Sequence, residues 1–142
     1  MLPNILDITE TFSLLDEWED KYRYLIELGT NLEPLEPELH CSKYKVSGCT
    51  SQVWLYPHWC NNKLDFKADS DAHTVKGLLC IVLVFYNNKT AQEVLNCDIA
   101  PLLKQLELSN HISLQRANGV QAVVKQIKCY AKQYLEKGST YE

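Results

Sequence analysis

The sequence contains few glycines and fewer basic than acidic residues, and both features exclude functions. Its five glycines in 142 residues stand singly, so there is no glycine-rich loop of the kind that cradles phosphate groups. The sequence has 14 lysines and arginines and 18 acidic residues, which gives a net charge of −4. Because nucleic-acid binding depends on clustered basic residues that neutralise phosphates, this balance argues against a nucleic-acid partner.

Long apolar runs are also missing. The longest, from Leu78 to Tyr86, is too short to cross a bilayer, and the first residues lack the basic start and apolar core of a secretion signal. We therefore expect a cytoplasmic protein without a membrane partner. An apolar content of 46% with 23% charged residues fits one compact domain, which we assign to residues 1–142.

Two helices are predicted before residue 30. A shorter one runs from Ile5 to Leu15, and a longer one covers residues 16–29 with a capping-box pattern at Asp16 and Glu19. Gly29 is expected just past the end of the longer helix, at the C′ position. The predicted apolar stripe of that helix comprises Trp18, Tyr22, Leu25 and Ile26.

Between residues 43 and 68 the pattern becomes typical of strands. Turn residues at Ser47-Gly48 and at 61–63 divide three short apolar segments. These segments are Tyr44 with Val46, residues 53–56, and Leu64 with Phe66. We predict a three-stranded antiparallel sheet packed against helices, which is an α+β fold.

The second half is predicted to be helical. Residues 68–88 combine strand-favouring β-branched residues with the length of a buried helix, and we predict a helix. Thr90 and Glu93 form a capping box for a short helix, and Pro101 suits the first position of another. The final helix ends at Gly138. Its apolar stripe comprises Val120, Val123, Val124, Ile127, Ala131, Tyr134 and Leu135.

Six cysteines need explanation, since thiols stay reduced in the cytoplasm. Cys80 lies in an apolar run and Cys129 near the stripe of the last helix, so both are predicted to be buried. Cys97 offers no functional signal. Five possible metal ligands lie within one third of the chain, but their spacing matches no familiar zinc-binding pattern. They are His40, Cys41, Cys49, His58 and Cys60.

Cys49 is the best candidate for a nucleophile. Gly48 before it relieves crowding at the bend, so a partner group can approach the sulfur. The alternative is a turn cysteine without a role. A cysteine hydrolase with His58 or His73 as its base is a further possibility, although no signature of such an enzyme is present.

Four blocks of the sequence resemble the SufE family of sulfur acceptors. They are YRYLIELG (22–29), SGCTSQVWL (47–55), ADSDAHTVKGLL (68–79) and SLQRANGVQAVVKQI (113–127). The resemblance implies a SufE/IscU-like fold. It also implies that Cys49 accepts persulfide sulfur from a cysteine desulfurase of the SufS or CsdA type, which uses pyridoxal phosphate. The sulfur would then pass to an iron–sulfur assembly scaffold of the SufBCD type.

The resemblance implies roles for further residues. Arg116 would support the sulfur electrostatically or contact the partner, whereas its plainer interpretation is a helix-start arginine paired with a surface carboxylate. Asp71 would belong to the partner surface or control the loop, but it could simply cap the next helix. The residues expected to shape the thiol pocket are Gly48, Ser51, Gln52, Val53, Trp54 and His73.

On this interpretation the chain is an accessory sulfur-transfer protein rather than a stand-alone enzyme, and it holds no cofactor or metal of its own. One alternative is an IscU-like scaffold that binds metal or a nascent cluster, for which Cys41 and Cys60 would have to converge beside Cys49. Another is the cysteine hydrolase considered above.

Overall fold

The computed structural model describes residues 2–137, which form helices and one β-hairpin. The predicted α+β class is confirmed. The elements in chain order are α1 (Ile5–Leu14), α2 (Trp18–Gly29), a 3-10 turn (Pro37–Leu39), β1 (Val53–Cys60), β2 (Lys63–Ser70), α3 (His73–Tyr86), α4 (Ala91–Asn96), α5 (Ala100–Gln105), α6 (Leu108–His111) and α7 (Leu114–Lys137).

The sheet has two strands in the described part of the chain, so the predicted third strand is not confirmed. β1 and β2 pair antiparallel from Val53 opposite Ser70 to Cys60 opposite Lys63. The segment 44–46 forms only a single bridge to β1, with Val46 N–H donating to the Val53 carbonyl at 2.8 Å. The chain turns away at Ser47-Gly48 directly afterwards, before a ladder can extend.

α2 corrects two predictions about helix ends. It begins at Trp18, and its N-cap residue Glu17 makes no side-chain capping bond, so the capping box at Asp16 and Glu19 is wrong. Gly29 is the last helical residue rather than a C′ residue beyond the helix, since Thr30 after it keeps a right-handed conformation.

Gly29 serves the packing of α2 against α3 instead. A Cβ on Gly29 would lie 2.7 Å from the Cβ of Lys76, and one on Gly77 would lie 2.0 Å from the Leu25 carbonyl oxygen. Both glycines therefore permit a close helix crossing. The crossing buries Leu25 and Leu28 and leaves Ile26 40% exposed, so the predicted stripe is partly wrong.

α3 forms the centre of the core. Its helical assignment is confirmed from His73 to Tyr86, whereas residues 68–70 of the predicted segment belong to β2. The α3 residues from Gly77 to Leu83 are all buried, because α2, β2 and α7 pack around this helix. The capping box of Thr90 and Glu93 is confirmed at the start of α4. Pro101 occupies the second position of α5, one residue later than predicted.

α7 buries most of its predicted stripe against this core. Leu135 is 46% exposed, and Cys129 is exposed, so both predictions of burial are wrong. Cys129 lies two residues from both Ile127 and Ala131, which places it on the opposite face of the helix. Gly138, the predicted end, lies outside the described residues.

Membrane-spanning helices were sought within residues 2–137. None of the helices there combines the length and the apolar character needed to cross a bilayer.

Candidate functional site

The loop between the 3-10 turn and β1 holds Cys49 against α7. Gly48 adopts a φ of +91°, a conformation that side chains with a Cβ rarely adopt. This backbone turns the half-buried Cys49 inward. Its S–H donates a weak hydrogen bond to the Gly119 carbonyl of α7, with 3.7 Å between sulfur and oxygen.

Cys49 borders a cavity of about 410 Å³ with an apolar floor and a polar rim. The floor comes from α3, β1 and α7, and consists of Val53, Val75, Leu78, Leu79, Val82, Val120 and Val123. The rim consists of Thr50, Ser51, Ser113, Gln115, Arg116 and Gly119. The cavity is far larger than one sulfur atom needs, so a thiol with an added sulfur fits inside it.

Burial raises the pKa of the Cys49 thiol above its ordinary value. The cause is that a thiolate loses hydration in this half-enclosed site, while the protonated form keeps its bond to the Gly119 carbonyl. The resting geometry therefore holds Cys49 as a thiol, which is the unreactive form.

Arg116 brings a positive charge to the rim of the same cavity. It lies in the first turn of α7, where its backbone N–H donates to the Ser113 hydroxyl at 3.2 Å. Its guanidinium donates to the Tyr22 hydroxyl of α2. Within residues 2–137 Arg116 forms no ion pair, so its interpretation as a partner of a surface carboxylate is not supported.

Asp71 fastens the end of the Cys49 loop. Its carboxylate accepts the backbone N–H of Gln52 at 3.1 Å, and its own N–H donates to the Gln52 carbonyl at 3.3 Å. It does not cap α3, because the N-cap residue is Ala72, whose N–H donates to the Ser70 hydroxyl. Asp71 thus acts on the loop and lies outside the cavity lining.

The remaining predicted pocket residues divide between the cavity and other surfaces. Ser51 and Val53 line the cavity, whereas Gly48, Gln52, Trp54 and His73 do not. Trp54 follows Val53 on β1 and so points to the other face of the strand. There its ring meets the edge of His40 at 4.8 Å.

The geometry does not support the two alternative functions, a cysteine hydrolase and a metal- or cluster-binding scaffold. His58 and His73 are exposed and do not line the Cys49 cavity, so neither is placed as a base for this thiol. Cys60 is exposed at the far end of β1, and all six cysteines are free. Within the described part of the chain, no three histidine, cysteine or acidic side chains cluster as metal ligands would.

Sequence reasoning missed several residues of the site. Ser113 and Gln115 stand beside Arg116 in the quoted block, but no local pattern showed that they face a cavity. Tyr22 lies 94 positions from its partner Arg116, and its places on an apolar stripe and in the block 22–29 did not link it to the site. Its contact depends on tertiary packing, which periodicity does not report.

The site is a half-buried cysteine at a cavity whose rim carries an arginine that forms no ion pair within residues 2–137. It lies in an α+β domain. The SufE family profile, "Fe-S metabolism associated domain", matches residues 6–131. This chain belongs to the SufE family, as the sequence blocks predicted.

Two relatives agree with this assignment, and a solved structure shares the fold. An uncharacterised SufE-like protein of Rhizobium meliloti is 43% identical over 129 residues, covering 88% of this chain and 92% of that protein. One from Rhizobium etli is also 43% identical, with coverages of 88% and 87%. A hypothetical protein of Thermus thermophilus, solved in solution, shares the fold with a TM-score of 0.74 at 17% identity, covering 96% and 98% of the two chains.

Proposed function

We propose that this protein accepts a sulfane sulfur on Cys49 from a cysteine desulfurase and relays it to an iron–sulfur assembly scaffold. The observation that carries the proposal is the placement of Cys49 at a cavity shared with Arg116. Membership of a family of iron–sulfur metabolism supports the same role. The protein is then an accessory to a desulfurase, which supplies the pyridoxal phosphate chemistry.

The transfer is a thiol exchange in which no net oxidation occurs. The Cys49 thiolate attacks the outer sulfur of the donor's persulfide, and a new S–S bond forms on Cys49. The donor's own S–S bond breaks, and the donor cysteine leaves as a thiolate. Delivery to the scaffold repeats this exchange, with the Cys49 persulfide as donor.

Activation requires the proton of Cys49 to leave. At rest the proton is held by burial and by the Gly119 carbonyl. A permanent positive charge near the sulfur favours the thiolate and the persulfide anion, and Arg116 supplies such a charge. Movement of the loop away from Gly119 would weaken the bond that protects the thiol, which explains how docking of a partner can switch it on.

The cavity explains how the product survives between partners. A persulfide exposed to solvent reacts with oxidants and stray thiols. The apolar floor of the Cys49 cavity would reduce contact of the added sulfur with water, and the polar rim would leave it accessible to partners. A carrier needs both properties, because the sulfur must be retained and later released.

Sulfur loading tests the proposal directly. The protein is incubated with a purified desulfurase, pyridoxal phosphate and cysteine, and its intact mass is measured before and after reductant. We expect a gain of about 32 Da that reductant removes. Cys49→Ser should lose the gain while keeping its circular dichroism spectrum.

Cys60→Ser is the matched control, since Cys60 is an exposed thiol at another bend. It should keep most of the loading and of the stimulation of desulfurase turnover. Normal loading or stimulation in the Cys49→Ser variant would refute the assignment of the acceptor.

A further inference from the structure

Arg116 reaches the Cys49 cavity with little to hold it except Tyr22. Arginine side chains are long and lose considerable freedom when fixed, and the described residues provide this one with no carboxylate partner. Its guanidinium donates to the Tyr22 hydroxyl and lies 5.9 Å from the centre of the Tyr22 ring. Tyr22 therefore holds the arginine through its hydroxyl.

Tyr22 is itself fixed, because α2 is anchored on both sides. The close crossing at Gly29 and Gly77 joins α2 to α3. One turn before Tyr22, the Trp18 ring stacks on His111 of α6 at 4.0 Å. Beside it, the Lys21 ammonium lies 3.4 Å from the Glu107 carboxylate.

These contacts show that one face of α2 holds the segment leading into α7. Trp18, Lys21 and Tyr22 meet residues 111, 107 and 116 respectively. The segment therefore keeps a fixed distance from α2, and the first turn of α7 keeps its position at the cavity rim.

The neutral phenol of Tyr22 can hold the Arg116 guanidinium without cancelling its charge. A carboxylate at position 22 would also accept the guanidinium hydrogen bond, but its negative charge would cancel the field that Arg116 directs into the cavity. The neutral hydroxyl accepts the bond and leaves the positive charge uncompensated.

We propose that Tyr22 is a positioning residue that directs the Arg116 charge toward incoming anionic sulfur donors at Cys49. The inference rests on the proposed function, because it gives the Arg116 charge its purpose. It adds that the site prefers anionic over neutral partners and that a residue on α2 sets this preference.

The test compares two alkylating reagents at Cys49, neutral iodoacetamide and anionic iodoacetate. Both react with the thiolate, so the ratio of their rates cancels the thiolate fraction and reports the charge met by the reagent. Rates are measured at low salt by mass spectrometry of the Cys49 peptide. Tyr22→Phe should lower the ratio of iodoacetate to iodoacetamide rates by roughly threefold, the size of a partly screened charge interaction.

Three comparisons make the test specific. Arg116→Gln should lower the ratio at least as much, and adding Tyr22→Phe to it should cause no further loss. Tyr56→Phe makes the same chemical change on β1, outside the cavity lining, and should leave the ratio unchanged. At about 0.5 M salt the difference between wild type and Tyr22→Phe should shrink, because salt screens charge.

An unchanged ratio in Tyr22→Phe overturns the inference, as does a further loss in the double variant or a change that high salt leaves intact. These outcomes do not touch the sulfur-loading result. If Cys49→Ser abolishes loading while Tyr22→Phe keeps the wild-type ratio, only the role of Tyr22 fails. If Cys49→Ser still loads, the proposed function fails whatever the ratio.

Discussion

Two bends in this protein each place a cysteine beside a residue with positive φ, yet only one of them shelters its sulfur. Gly48, at φ +91°, precedes Cys49, whereas Asn61, at φ 51°, follows Cys60 in the hairpin turn. Cys49 is half-buried against α7, and Cys60 is exposed. A bend alone therefore does not make a protected thiol.

α7 packs near both bends. The two thiols differ in exposure because Cys49 faces α7, whereas at the hairpin Trp59 faces α7 and Cys60 does not. At the first bend α7 presents Gly119 to the sulfur of Cys49. Near the hairpin it presents Tyr134, whose ring stacks on Trp59 at 3.8 Å. Because side chains alternate along a strand, Cys60 faces away from Trp59. The same helix thus buries a thiol at one bend and an indole at the other.

The largest effect should appear in the reactivity of the two thiols. At about pH 7.5, iodoacetamide should modify Cys60 at least roughly tenfold faster than Cys49, because exposure and thiolate content both control the rate. The raised pKa of Cys49 means that its rate keeps climbing above about pH 8.5, the ordinary thiol value. Time-resolved peptide mapping over a pH series measures both rates.

Cys80 provides the internal reference for this experiment. It is fully buried in α3, and burial raises its pKa to about 12, so it should stay unmodified until denaturant unfolds the protein. Equal rates for Cys49 and Cys60 in the folded protein would contradict the sheltering of Cys49.

A smaller effect is expected from changing the backbone of the first bend. Gly48→Ala should lower the free energy of unfolding by about 1–2 kcal/mol, because alanine is strained at a left-handed φ. A Cβ there would lie 3.4 Å from the Cβ of Ala122 on α7, which is ordinary contact, so the backbone strain alone loosens the loop. Cys49 alkylation should therefore accelerate, and urea unfolding measures the stability change.

Asn61→Ala is the corresponding change at the hairpin. It also puts alanine at a positive φ, so some loss of stability is expected, but Cys49 alkylation should stay at the wild-type rate. Faster alkylation in both variants would mean that general loosening, rather than the geometry of the Gly48 bend, controls access to Cys49.

Part of the fold and of the candidate site could be predicted from the sequence. Periodicity located α2 and α7, because each carries an apolar stripe, whereas α3 was assigned from the length of its apolar segment. The family blocks singled out Cys49 and Arg116. Burial of Cys129 was predicted wrongly, since proximity in sequence to a stripe says little about which face a residue takes.

What the sequence could not predict depends on contacts between distant elements. Gly29 looked like a helix terminator, but its role is the close approach to α3. Tyr44 and Val46 carry a strand pattern, yet the turn at Gly48 limits them to one bridge. The bond between Tyr22 and Arg116 has no local signature, because it forms only when α2 and α7 are both in place.

The smallest expected effect concerns the bond that fastens the Cys49 loop to β2. Asp71→Ala removes the acceptor of the Gln52 N–H and should cost about 1 kcal/mol. Local opening of residues 49–52 then becomes easier, so Cys49 alkylation should rise roughly twofold to threefold. Asp71→Asn keeps an oxygen acceptor and should fall between wild type and alanine.

Asp98→Ala is a matched control for Asp71→Ala, since the Asp98 carboxylate also accepts a backbone N–H, from Ala100 at 3.0 Å, but in a different loop. It should have a similar effect on stability and none on Cys49. Alkylation that tracks overall stability equally in both variants would show that Asp71 does not act on this loop. Faster alkylation in Asp71→Ala alone would mean that the first bend shelters its sulfur only while Asp71 holds the loop against α7. Cys60 has no such requirement, because its thiol is exposed.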